Sequence, residues 1–157
     1  MLLYRADHVR RPATPMPVRT IHEQDGWCDA PADRNYNRPV RHPYAAGAER
    51  LWRQDALYDI VVILGYNEHP RVRGRGSAIF MHVAAPGYAP TEGCIALTRA
   101  HLVRLLQRLR PGTTVGVLAA RKKSARSLRL GRSEHVPGKW RARASSEARW
   151  SAGLAAR

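Results

Sequence analysis

Apolar positions along the chain follow two rhythms. Leu57–Leu64 (LYDIVVIL) is a compact β-branched run closed by Gly65, the pattern of a buried strand. Ser77–Val83 (SAIFMHV) alternates, with Ile79, Met81 and Val83 on one face and Ala78, Phe80 and His82 on the other. Gly93–Leu97 (GCIAL) reads as a second short strand. From Thr98 the period lengthens: Leu102, Leu105, Leu106 and Leu109 recur at helical spacing, with Thr98 as N-cap and RPGT as the stop. Thr113–Leu118 (TTVGVL) then predicts a closing strand, and Ala48–Gln54 (AERLWRQ) predicts a short helix.

The first forty or so residues read differently. RRPATPMP, DGW, DAPADRNYNRP and RHPYAAG are dense in turn formers, so this region is expected to be mostly loop, with a short strand at Val18–His22. No internal repeat is visible. Beyond Leu118 the apolar period fades into Arg, Ser, Ala and Gly, and a weakly structured tail is expected. The division is thus a 1–118 domain followed by a basic 119–157 tail.

Composition adds one qualification. The 157 residues carry a net charge of +15. About +9 of it falls between Ala119 and Arg157, so the excess belongs mainly to the tail. Cys28 and Cys94 allow one disulfide at most, which excludes a cysteine-stapled scaffold. No apolar run is long enough for a transmembrane span, and the N-terminus shows no secretory-signal pattern, so no export signal is expected in this chain.

The candidate chemistry lies in Phe80–Leu97 (FMHVAAPGYAPTEGCIAL). Paired as an antiparallel hairpin about Tyr88, the two strands would set His82 directly opposite Cys94, close enough for imidazole and thiol to meet. A neighbouring imidazole raises the reactive thiolate fraction. Gly93 permits close backbone approach, and the N–H groups around Gly93 and Cys94 offer an oxyanion site. The plainer reading, a packed cysteine beside a satisfied core histidine, stays open on the pair alone. A zinc site from His69, His82, Cys94 and His101 has no tight ligand spacing behind it.

The segment MHVAAPGYAPTEGCIAL resembles the catalytic motif of the L,D-transpeptidase (YkuD-type) domain: an upstream histidine, then Ser/Thr-His-Gly-Cys, a β-branched residue, commonly Arg, and an aliphatic residue. His82, Thr91, Gly93, Cys94, Ile95 and Leu97 match. DGWCDAPADRNYNRPV and YNEHPRVRGRGSAIF resemble segments that one branch of the family carries ahead of that histidine. The likeness covers about Leu2 to Val117 and leaves the tail outside. Glu92 stands where the motif usually has a second histidine, and Ala96 where it usually has arginine. The family domain usually begins with a further strand, so the resemblance implies a chain that starts inside the domain.

The resemblance implies a mostly β (α+β) fold, a β-sandwich or open barrel with one or two short helices. It implies acyl transfer on peptidoglycan stem peptides in the periplasm or cell envelope, with no metal or organic cofactor. Cys94 would be the nucleophile, His82 the general base, and Gly93 part of the oxyanion site. The Val83 carbonyl, Asp29 and Tyr66 are the alternatives for orienting His82. Tyr36 and Asn37 are candidates for the donor-peptide groove, with a turn-stabilising role equally open. Tyr88, Thr91 and Glu92 are candidates for covering bound substrate. Arg71, Arg73 or Arg75 are candidates for the missing cation, against a reading as solvated loop charges. Trp27, Trp52 and Cys28 read as structural.

The competing class is a non-catalytic cell-wall or polyanion-binding protein using the same fold and the basic tail. A specific nucleic-acid partner is not expected, because RKKSARSLRLGR has charge without an interleaved aromatic ladder.

Overall fold

A computed structural model describes residues 1–118. The tail expected at 119–157 lies outside the described residues. Met1–Val115 belongs to one compact unit, built on two sheets. The larger sheet contains β1 (Leu2–Tyr4), β2 (Val18–Thr20), β6 (Ile60–Ile63), β7 (Phe80–Val83) and β8 (Ile95–Leu97), in the order β2-β1-β6-β7-β8. Its outer pairs β1–β2 and β7–β8 are parallel, and its inner pairs β1–β6 and β6–β7 are antiparallel. The smaller sheet is antiparallel, with β3 (Asp25–Cys28) between β4 (Pro39–Arg41) and β5 (Ala48–Arg50). The mostly β fold with little helix is thus present.

Strict alternation gives the large sheet two apolar faces. Leu2, Ile60, Val62, Met81, Val83 and Leu97 point to one side, where Leu102 and Leu106 of the helix, and Leu109 just beyond its end, cover them. Leu3, Val61 and Phe80 point to the other and meet Trp27 and Leu51 of the small-sheet region. Trp27 packs edge-on against Phe80 at 5.2 Å between ring centroids. An aromatic pair in that geometry adds to plain area burial and locks the two sheets in register.

The single α-helix among the described residues, α1 (Arg99–Leu106), begins where expected. Thr98 Oγ1 accepts the His101 N–H at 3.2 Å, satisfying one of the donors that a helix start leaves open.

Two expectations fail, and a third, a mostly loop N-terminal region, holds but with more strand than expected. Ala48–Gln54 has helix-forming residues, yet Ala48–Arg50 is the edge strand β5, held by ladder bonds to β3. Tertiary pairing there overrides local propensity. Thr113–Leu118 forms no strand; Val117 and Leu118 are exposed and no partner strand adjoins them. The N-terminal region is less loop-like than its turn formers suggest, since Leu2–Tyr4, Asp25–Cys28 and Pro39–Arg41 are strands alongside the expected Val18–Thr20.

Leu102 is fully buried beneath the large sheet. Leu102→Ala is expected to lower unfolding free energy by about 2–5 kcal/mol, and Thr98→Ala by about 1 kcal/mol. Urea denaturation followed by circular dichroism measures both, and equal small losses would contradict this packing.

Candidate active site

The expected hairpin is not what joins His82 to Cys94. β7 and β8 run parallel, with Met81 opposite Ile95, His82 opposite Ala96 and Val83 opposite Leu97. The connection uses a 3-10 turn at Pro86–Tyr88, in which Gly87 and Tyr88 both take positive φ, at 72° and 56°. It returns the chain to the start of the neighbouring strand instead of folding it straight back. Cys94 therefore lies beside Phe80, one pleat from His82.

The two side chains nevertheless share a face. Phe80 and Cys94 both pack into the cluster on the small-sheet side. Alternation puts His82 on the same side, where its ring meets the Tyr58 ring edge-on at 5.3 Å. A diagonal pair on one sheet face is still within reach of long side chains.

Cys94 is half-buried and held by the backbone around β7. Its thiol donates to the Ala78 carbonyl at 3.2 Å and accepts the Phe80 N–H at 3.3 Å. Burial pushes the thiol pKa up, the Phe80 hydrogen bond opposes that, and the Glu49 carboxylate adds to it. The resting sulfur is thus a neutral S–H. No disulfide with Cys28 forms; Cys28 is a free thiol, fully buried in β3.

His82 is 5 % exposed, and its Nδ1 lies 2.8 Å from the Val83 carbonyl. A carbonyl only accepts, so Nδ1 carries the proton and Nε2 of the neutral ring is left as the basic nitrogen. Of the three candidate orienters, the Val83 carbonyl makes the contact. Burial lowers the imidazole pKa, the Val83 bond partly opposes this, Arg53 lowers it further and Asp55 raises it. Both members of the pair are neutral at rest.

Gly93 holds φ at +104°, and a Cβ there would approach Ile79 Cδ1 to 3.1 Å. Glycine meets both demands, keeping the backbone before Cys94 bare. Thr91 Oγ1 donates to the Cys94 carbonyl at 2.6 Å and fixes the same turn. Tyr88 is 53 % exposed and Glu92 is exposed, so both are free to meet a ligand.

Tyr36 and Asn37 do not lie open in a groove. Asn37 is 2 % exposed, and its amide is fully occupied within the protein. Its Oδ1 accepts from Trp27 Nε1 at 2.9 Å and the Ala78 N–H at 3.3 Å; its Nδ2 donates to the carbonyls of Tyr66 and Asn67, each at 2.9 Å. Tyr36 is buried, and its hydroxyl accepts the Gly76 N–H at 3.1 Å. Together they pin the segment leading into β7, whose Ala78 carbonyl receives the Cys94 thiol. Arg71, a candidate cation, spends its Nε on the Asn37 carbonyl at 3.1 Å. Among the described residues no three His, Cys, Asp or Glu side chains gather as a metal site.

The sequence reading missed a group beside the pair. Tyr58, buried at the end of a 3-10 turn (Ala56–Tyr58), donates its hydroxyl to Glu49 of β5. Burial and then the Glu49 charge push the phenol pKa far up, and burial raises the Glu49 carboxyl. The Arg53 guanidinium lies over the Tyr58 ring at 5.1 Å. Glu49 and Arg53 sit in AERLWRQ, where a helical reading makes them an ordinary surface pair at i, i+4; instead Glu49 lies in β5 and Arg53 beyond its end, both against Tyr58.

A family model of the YkuD-type L,D-transpeptidase catalytic domain matches residues 3–117. The chain belongs to the L,D-transpeptidase family. That family acts on peptidoglycan peptides and is associated with the cell envelope. No curated protein and no solved structure matches the chain. No helix among the described residues is long and apolar enough to cross a membrane.

Because the thiol pKa is raised, the thiolate fraction of this L,D-transpeptidase-family protein grows only at pH above the ordinary thiol range. The rate of Cys94 alkylation by iodoacetamide, followed against pH by mass spectrometry, is expected to rise through a midpoint above that range. A midpoint near neutrality would show a preformed thiolate instead.

Proposed function

We infer that the protein is a cysteine-dependent L,D-transpeptidase acting on peptidoglycan stem peptides. The observation carrying this reading is the placement of Cys94 and His82 on one sheet face, with the His82 tautomer set by Val83 so that Nε2 is a base. The family match supplies the substrate class.

In the reaction, the Cys94 side chain leaves Ala78 and turns toward the groove. Thiols are weak donors, so this costs little. His82 Nε2 takes the thiol proton as sulfur attacks the carbonyl joining the diamino acid to the terminal D-alanine. The oxyanion that forms meets N–H groups around Gly93 and Cys94. The C–N bond then breaks, the imidazolium returns the proton to the leaving amine, and D-alanine departs from a thioester on Cys94. An amine from a second stem attacks the thioester carbonyl and gives its proton to Nε2. The thiolate leaves and is reprotonated, and the new amide is a cross-link. Water in place of the amine gives hydrolysis. The buried, neutral His82 suits both steps, because an imidazolium already formed could not accept the thiol proton.

A carbapenem is expected to acylate the folded protein at Cys94, seen as one added inhibitor mass. Cys94→Ala is expected to abolish the adduct, and His82→Ala to slow it by about 10²–10⁴-fold. Adduct formation on Cys94→Ala, or none on well-folded wild-type protein, would overturn the reading.

A further inference from the structure

The loop between β6 and β7 displays positive charge that the proposed reaction does not use. Arg71, Arg73 and Arg75 alternate along it, and Glu68 is the one acidic residue between Ile60 and Thr91. None of the ion pairs among the described residues includes these arginines or the nearby Arg38. Arg38, Arg73 and Arg75 are exposed, while Arg71 is half-buried against the Asn37 carbonyl.

The backbone that carries these charges is held from within. Asn67 Oδ1 accepts the Val72 N–H, and its Nδ2 donates to the carbonyls of Val72 and Gly76, all at 2.9 Å. The Arg75 N–H closes a turn onto the Val72 carbonyl at 3.3 Å, with Arg73 and Gly74 between them. Asn37 anchors the start of the loop through the Tyr66 and Asn67 carbonyls, and the Tyr36 hydroxyl anchors its end at the Gly76 N–H. Arg73 and Arg75 are thus presented on a closed turn, where little backbone freedom remains to be lost on binding.

Tyr66 gives the turn a second feature. Its ring is 52 % exposed, yet it lies so close over Gly76 that a Cβ there would come within 3.1 Å of Cε1. Gly76 also holds φ at 101°, so glycine alone lets the ring rest beside Arg75. An aromatic face left in solvent next to unpaired guanidinium groups matches a ligand whose repeating unit carries an apolar ring face and an anion. A pyranose bearing a carboxylate is such a unit. Its ring C–H groups pack on the phenol, and its planar carboxylate accepts paired N–H bonds from a guanidinium. A phosphate chain offers the charge without the ring, and a neutral glucan the ring without the charge. The family is associated with the cell envelope, where carbohydrate polymers rather than nucleic acids are at hand.

We propose that the turn carrying Tyr66, Arg73 and Arg75 is a docking surface for a uronic-acid polysaccharide, with a sugar ring on Tyr66 and carboxylates on the two arginines. It uses neither His82 nor Cys94 and does not rest on the transpeptidase reading.

The test measures Kd of the full chain at fixed salt, by biolayer interferometry, for polygalacturonate, polyphosphate and oligodeoxythymidine of matched charge and for amylose of matched length. The net charge of +15 attracts any polyanion, so the ratio of affinities is read rather than any one of them. Wild-type protein is expected to bind polygalacturonate about tenfold or more tightly than each of the other three, the scale of one charge-assisted contact. Arg73→Gln/Arg75→Gln is expected to remove that preference, and Arg73→Lys/Arg75→Lys to keep part of it. Tyr66→Ala is expected to remove the preference and leave polyphosphate binding unchanged. Arg104→Gln/Arg108→Gln on α1 is expected to weaken both polyanions alike and leave the ratio intact.

Equal affinity of wild-type protein for polygalacturonate and polyphosphate, or a preference for oligodeoxythymidine or amylose, overturns the docking surface. So does a preference that survives Arg73→Gln/Arg75→Gln in protein with the wild-type urea midpoint. Should that variant lose its fold, Tyr66→Ala decides by the same ratio.

Discussion

The site depends on the parallel pairing of β7 with β8. That register, with Met81 opposite Ile95, sends Phe80, His82, Cys94 and Ala96 to one side of the sheet and Met81, Val83, Ile95 and Leu97 to the other. A slip by one residue would bury Cys94 beneath α1 and expose its apolar neighbours, so the hydrophobic pattern itself guards the position of the sulfur. The core beneath α1 and the opposite face, which carries His82 and Cys94, are two consequences of one alternation.

Burial then sets the protonation state. Both the thiol and the imidazole lose solvent, which penalises thiolate and imidazolium alike. The pair rests neutral, with the thiol proton directed at the Ala78 carbonyl and the imidazole proton at Val83. In the proposed reaction a ligand would first have to draw the sulfur away from these backbone partners. The surrounding loop is rigid where this matters: Asn37 ties Trp27, Tyr66, Asn67 and Ala78 together, so the acceptor of the resting thiol is fixed by a fully satisfied buried amide.

The central strands, the helix and its cap, and the shared sheet face of His82 and Cys94 were legible in the sequence, because strong periodicity carried them. What was not legible depended on partners distant in sequence. Ala48–Arg50 has helix-forming side chains, and only the edge of β3 makes it a strand. Asp25–Cys28 is hidden among turn formers until β4 and β5 flank it. The symmetric spacing about Tyr88 favoured a hairpin, but two consecutive positive-φ residues after Pro86 redirect the chain. Asn37 looked like a loop residue offering hydrogen bonds, and its bonds are indeed made, though inward. Glu49 gave no signal, since its placement follows from the misread strand, and Arg53 lies beyond that strand's end.

The account turns on which nitrogen of His82 carries the proton at rest. Nitrogen-15 NMR of the histidine side chains, with His82 assigned by substitution, reads this directly at neutral pH. The account predicts a neutral ring protonated at Nδ1, with a bare Nε2 that stays so to pH below the ordinary imidazole range. An imidazolium at neutral pH, or a neutral ring protonated at Nε2, would contradict it.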